Sequence, residues 1–303
     1  MARIVVLGSI NMDVVVMTPQ HPRPGETLFG SDVKFIPGGK GSNQAVAASR
    51  LADGVALVGK LGKDAFGTAL HDFLKDENLN LEHLSFSDTA PSGTALIAVD
   101  ENSENTIIVV SGSNFEISPD DVEQVKLESN DIVLAPFEVP QESILALFQR
   151  AKELGACTMI NPAPATPFID GLQNLCDTII VNETELAFFA GQSTVADDLE
   201  ALQKQAQSIQ TRADQTIIVT LGSKGAVCWS EDKFFSIAGR KVAAIDTTGA
   251  GDCFVGALSV ALSEGSSLPN AIGFANLAAS LSVQKIGASA SMPHRQAVND
   301  IMI

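Results

Sequence analysis

The sequence predicts an α/β fold: a mostly parallel central sheet with helices on both faces, a three-layer sandwich, plus a small β-sheet lid. Three observations carry that expectation. Strand-like runs at 132–135, 157–160, 178–181 and 216–220 alternate with helical stretches near 141–154, 167–175, 183–190 and 195–211. Such alternation builds parallel strands joined by crossover helices. Two other segments, about 12–37 and 92–111, have strand patterning without an intervening helix and are expected to pair as a discontinuous lid on one domain spanning 1–303. Finally, Ile245-Asp-Thr-Thr-Gly-Ala-Gly-Asp252-Cys-Phe254 opens an apolar helix, with Phe254, Ala257, Leu258, Ala261 and Leu262 at helical spacing.

Composition narrows the function classes. A chain of 303 residues, 45% hydrophobic, can bury a sizeable core and is not disordered. Its apolar runs fall short of the roughly 18 residues that span a bilayer. Strand-like Ile4-Val5-Val6-Leu7 follows Arg3 with no small-residue cleavage site, so no signal peptide is expected. Cys157, Cys176, Cys228 and Cys253 are scattered without a C-x-x-C pair, the pattern of free thiols in a reducing, cytoplasmic setting. A net charge of −17 argues against nucleic-acid or anionic-membrane partners. It leaves room for a phosphate held locally by backbone amides, a lysine and a metal.

In chain order, residues 4–7 read as a buried strand ending at Gly8, with Asn11 and Asp13 just beyond it. Runs 14–17 and 33–36 flank a proline-rich break and form the first excursion. Gly38-Gly-Lys-Gly-Ser-Asn-Gln44 then leads into an alanine-rich helix, 45–51, offering close backbone approach, a cation and an amide. A strand at 55–58 and an amphipathic helix to about 74 follow. Gly54 to Leu61 nearly matches a P-loop, but Leu61 has no hydroxyl for Mg²⁺ and the intervening residues are strand formers. Runs 94–99 and 106–110 form the second excursion, a hairpin. Past the alternating region, 226–229, 234–238 and 242–245 suggest antiparallel edge strands. Helices near 251–264, 269–284 and from about 294 close the chain.

Polar residues gather where strands end. Glu138, Asn161, Asn182 with Glu185, and Thr220-Leu-Gly-Ser-Lys-Gly225 each follow a strand. Each is an ordinary cap or turn on its own terms. Together they point to the end of an open α/β sheet where ligands bind. The small residues 249–251 begin a helix, whose bare N–H groups and dipole favour an anion. Asp252 there is either a first-turn acid or a base beside a bound phosphate.

Taken together, Gly8-Ser-Ile-Asn-Met-Asp13, Gly38–Gln44, Asn182-Glu-Thr-Glu185, Thr220–Gly225 and Asp246–Asp252 resemble the ribokinase-like carbohydrate kinase family over essentially the whole chain. That resemblance implies an ATP-dependent phosphotransferase acting on a sugar's primary hydroxyl, D-ribose first, with deoxyribose, a ketose or a nucleoside as alternatives. It implies Asp252 as the general base and the amides of Gly249, Ala250 and Gly251 as the anion hole. It places Asn11, Asp13, Gly39, Lys40, Asn43 and Glu138 around the sugar. ATP would contact Asn182, Thr220, Gly222, Ser223, Gly225, Gly251 and Asn276, with Glu185 acting on Mg²⁺ through water. A K⁺ site would draw on Asp246, Thr248, Ser282, Lys285, Gly287 and Ser291, and a homodimer would form through the lid. A silent sugar-binding protein lacks a reason to keep Asp252. A dinucleotide enzyme would need G-x-G-x-x-G at the first turn, which reads Gly8-Ser-Ile-Asn-Met-Asp13 instead.

Overall fold

Strand β1 (Ile4–Leu7) is buried along its whole length, and its side chains divide between two cores. Ile4 and Val6 face one apolar cluster, Val5 and Leu7 the other. A strand buried on both faces needs an unbroken apolar run, which is what this sequence supplies. The computed structural model describes residues 3–102, 104–194, 196 and 198–302.

The first half contains β2 (Asn11–Met17), β3 (Asp32–Gly38), α1 (Lys40–Ser49), β4 (Val55–Gly62), α2 (Ala65–Lys75), β5 (Leu84–Ser87), β6 (Gly93–Val99), β7 (Asn105–Val110) and α3 (Pro119–Glu123). Then come β8 (Ile132–Pro136), α4 (Gln141–Leu154), β9 (Cys157–Asn161), α5 (Leu172–Leu175), β10 (Thr178–Asn182), α6 (Glu183–Phe189), α7 (Leu199–Ser208) and β11 (Thr216–Thr220). The last elements are β12 (Gly225–Ser230), β13 (Lys233–Ala238), α8 (Ala250–Ser263), α9 (Leu268–Ser282) and α10 (Arg295–Asn299).

Nine strands form one sheet in the order β13-β12-β11-β10-β9-β8-β1-β4-β5. Pairings from β11 across to β5 are parallel, whereas β12 and β13 add antiparallel at the edge. One face carries α1, α8 and α9, the other α4 and α7, giving the three layers. The chain progresses outward in opposite directions from β1 and β8, so their C-terminal ends flank a crevice of the kind that holds ligands.

The two excursions pair as expected. They make a separate four-stranded sheet, β3-β2-β6-β7, in which β2 and β6 run parallel.

Some local expectations shift. Helix α1 begins at Lys40, not 45, because Gly39 (φ 90°) turns the chain directly into it. The near-P-loop is strand β4, and the Lys60 ammonium donates to the Glu116 carbonyl and to Asp121, both at 2.9 Å. The helix expected over 167–175 shrinks to α5, preceded by Gly171 at φ 85°. Residues 242–245 join no strand. The short edge strand β5, half-buried and paired only with β4 among the described residues, carries no strand signal in the sequence. Of the helix expected over 195–211, Val195 and Asp197 lie outside the described residues, and regular helix runs from Leu199 to Ser208 behind an Asp198 cap.

Candidate active site

Asp252 occupies the first turn of α8, just after Gly249 (φ 73°). A β-carbon at Gly249 would lie 3.0 Å from Ala288, so only glycine makes this turn without strain. The Ala250 amide donates to the Thr247 carbonyl at 3.2 Å. Among the described residues, the N–H groups of Gly249 and Gly251 have no backbone partner outside regular elements.

The Asp252 carboxylate is buried, 7% exposed, and both oxygens are held from α1. Asn43 Nδ2 donates to Oδ2 and Gln44 Nε2 donates to Oδ1, each at 3.0 Å. Burial raises the Asp252 pKa, while Lys40, Asn43 and Gln44 oppose the rise. Helix α1 can deliver these amides because it lies directly on the first βα turn. A β-carbon at Gly41 would fall 2.4 Å from the Gly8 carbonyl carbon.

Lys40 starts α1 with its ammonium 3.8 Å from Glu138 Oε1. The negative charge of Asp252, with Glu138, Glu185 and Asp13, keeps its pKa above the ordinary lysine value despite burial. Glu138, just past β8, accepts from Ser9 Oγ at 2.5 Å and from the Lys40 amide at 3.0 Å. Asp13 lies on β2, where burial, with the charge of Glu138, pushes its pKa to about 7. Asn11 accepts at Oδ1 from Asn114 Nδ2 at 2.7 Å, and Asn114 in turn accepts from the Ile10 amide at 2.9 Å.

Alongside this group opens a cleft lined among others by Lys40, Asn161, Asn182, Glu185, Thr220, Gly249, Gly251 and Asp252. Asn182 caps α6 in a reciprocal box with Glu185, which accepts the Asn182 amide at 2.8 Å while returning its own amide to Asn182 Oδ1 at 2.8 Å. Gly222, Ser223 and Gly225 form the turn between β11 and β12, outside that lining. Asn276 on α9 gives its Nδ2 to the Ile237 carbonyl at 3.1 Å, also outside it.

Behind the α8 turn, Asp246 Oδ1 accepts from Thr248 N and Oγ1 at 2.9 and 2.6 Å, and Oδ2 from Gly287 N at 2.8 Å. Burial works against its charge, but these donors hold its pKa below the usual carboxylate value. Ser282 and Ser291 are buried and donate to the carbonyls of Ala279 and Ala288, at 2.9 and 2.8 Å. Lys285 is exposed, its amide closing on the Ser282 carbonyl at 3.1 Å.

A family model described as pfkB family carbohydrate kinase matches residues 1–295. The chain belongs to the pfkB family of carbohydrate kinases. A curated ribokinase of Haemophilus influenzae is 39% identical over 293 residues, covering 96% of this chain and 95% of that one. A deoxyribokinase of Salmonella typhi is 32% identical over 302 residues, with 99% and 98% coverage. The solved structure of Arabidopsis thaliana ribokinase complexed with ribose and ATP superposes with a TM-score of 0.91, at 32% identity and 99% and 98% coverage.

Three further side chains, which the sequence does not mark, support residues that it does. Ser9, Gln44 and Asn114 hold Glu138, Asp252 and Asn11. Ser9 and Gln44 lie within the glycine-containing stretches Gly8–Asp13 and Gly38–Gln44, which show their position but not their partners. Asn114 follows the second excursion and bears no local mark that separates it from a loop asparagine.

Proposed function

We propose that this pfkB-family kinase transfers the ATP γ-phosphoryl group to the primary hydroxyl of a pentose, D-ribose first, giving ribose 5-phosphate and ADP. Deoxyribose is the nearest alternative, in keeping with the deoxyribokinase relative; a ketose or a nucleoside is more remote. The observation that carries the reading is Asp252: an acid clamped at a helix start, lining one cleft with Lys40, Gly249 and Gly251. Asp252 takes the hydroxyl proton while the Gly249 and Gly251 amides, and that of Ala250 once it turns from the Thr247 carbonyl, receive charge developing on the phosphoryl oxygens, which suits a reaction won by positioning and electrostatics. Asn11, Asp13, Gly39, Lys40, Asn43 and Glu138 hold the sugar. Asn182, Thr220, Gly222, Ser223, Gly225, Gly251 and Asn276 hold the nucleotide, and the second sheet serves as the lid.

Mg²⁺ fits as an ion borne by the nucleotide: no cluster of three or more His, Cys, Asp or Glu able to hold a metal occurs among the described residues. Glu185, tied into its cap, suits contact through water. For K⁺, ionised Asp246 with Thr248, Ser282, Lys285, Gly287 and Ser291 supplies hard oxygen donors. Among the described residues, no helix is long and apolar enough to cross a membrane. Buried free thiols at Cys176, Cys228 and Cys253 fit a cytoplasmic setting, although Cys157 is exposed.

Homodimerisation through the lid is supported by the edge strand β7, where Ile107, Ile108, Val109 and Val110 are 52, 60, 54 and 47% exposed. A long apolar edge of this kind calls for cover. Sedimentation should find a dimer that Ile108→Asp converts to monomer; a monomeric wild type would end that proposal.

The main test is ADP release over ribose, deoxyribose, fructose and adenosine, with and without Mg²⁺ and K⁺. Ribose should be best, and Asp252→Asn should lose roughly 10²–10⁴-fold in turnover while still binding sugar. Adenosine as best substrate, or unchanged turnover in the variant, would overturn the reading.

A further inference from the structure

Gln44 is 0% exposed, and its Nε2 serves two acceptors at once: Asp252 Oδ1 at 3.0 Å and Asn161 Oδ1 at 3.1 Å. Asn161 ends β9 and gives its own Nδ2 to the Ile180 carbonyl at 2.9 Å, in the neighbouring strand β10. That bond fixes which end of Asn161 faces Gln44. Its oxygen must, so the Gln44 nitrogen must point toward both oxygens. The consequence is visible at the other end of the amide: among the described residues, no donor reaches the buried Gln44 Oε1. Flipping Gln44 would set its oxygen against a carboxylate and a carbonyl oxygen, which is worse. A glutamine kept only to fill space would be expected to satisfy both ends or to be apolar. Here one end goes unpaired so that the other can hold the acid.

We propose that Gln44, seated by Asn161, is a positioning residue for the base, setting the rotamer of Asp252 and favouring its ionised form. The inference rests on Asp252 being the base. It differs from the Asn43 contact in its anchor. Gln44 is referred to the central sheet through Asn161, whereas Asn43 is referred to the C-terminal loop through Ser289 Oγ at 2.6 Å. The two oxygens of Asp252 are therefore located against two separate parts of the fold.

The test is the pH dependence of kcat in Gln44→Met, which keeps the length of the side chain and removes its donors. Turnover should fall about ten- to a hundred-fold, as small misplacements at a reacting group do, with the KM for sugar little changed. The acid limb should move to higher pH, because a donor to the charged form has gone. Gln44→Glu, of matching size, is measured beside it and should move the limb further up by adding a second acid at Asp252. A wild-type profile in Gln44→Met overturns the proposal. So does a loss of kcat that follows the folded fraction with an unmoved acid limb. If Gln44→Met does not fold, an unmoved limb in Gln44→Glu does the same. Asp252→Asn in the same series separates the two claims: unimpaired turnover there removes the base itself, whereas inactive Asp252→Asn with normal Gln44→Met removes only the role of Gln44.

Discussion

Ser289 Oγ donates to Asn43 Oδ1 at 2.6 Å, and the same amide gives its Nδ2 to Asp252 at 3.0 Å. The segment bearing Ser289 is itself held down, since Arg50 Nη1 donates to the carbonyls of Ser289 and Met292, each at 2.8 Å. Arg50 in turn grips Glu77 through two bonds, at 2.8 and 2.5 Å. The loop that carries Gly287 and Ser291 is thus joined to the proposed base through a single buried side chain.

Ser289→Ala tests that joint. Removing the hydroxyl leaves the Asn43 oxygen buried without a donor, a cost of about 1–3 kcal/mol. Urea unfolding should show the loss, and turnover should fall by a few-fold as Asn43 gains freedom. Unchanged stability would mean that another donor replaces the hydroxyl.

Asp13 carries a pH signature. Its carboxyl titrates near 7 in the folded chain because burial and Glu138 disfavour its charge, against an ordinary value near 3.9. Between these values the folded state binds the extra proton, so stability should fall as pH rises from about 4 to about 7. Asp13→Asn removes the penalty and should gain roughly 1–2 kcal/mol at pH 8, after screening by solvent and Lys40, with little gain at pH 4. Urea titrations at the two pH values read the difference directly. The wild-type KM for sugar should also rise as pH drops below 7, and equal dependence in Asp13→Asn would disconnect Asp13 from sugar binding.

Gly251→Ala separates fold from chemistry. A β-carbon there meets no atom within 4 Å and the backbone angle is not positive. Alanine is the better helix former by about 1 kcal/mol. The variant should melt no lower than wild type, yet turn over far more slowly, since the methyl projects into open space where Gly251 lines the cleft. Full activity would place the phosphoryl group elsewhere.

The layered fold was legible because its signal is local. Apolar runs such as Ile4–Leu7, Ile132–Ala135 and Thr178–Val181 show doubly buried strands, and the helix periods between them show the crossovers. The strand-end residues were legible for a similar reason: a polar group where a buried strand stops has few uses in a core. Less visible were short elements whose reason for existing is a neighbour. Leu84–Ser87 is a strand only because β4 offers it an edge, while 242–245 has strand-like residues but, among the described residues, no neighbouring strand to pair with.

What lay in the amino acids themselves was therefore the α/β class, the two excursions, the glycine turn before Asp252 and a set of polar residues at one end of the sheet. Periodicity, chain reversal and helix-end electrostatics act over a few residues and can be read from them. Contacts across 208 and 209 positions, such as Gln44 and Asn43 with Asp252, leave no such local mark. The packing of α1 onto the β1 turn and against α8 brings those amides to the acid. Burial there, a property of the assembled fold and not of an aspartate, raises the pKa of Asp252.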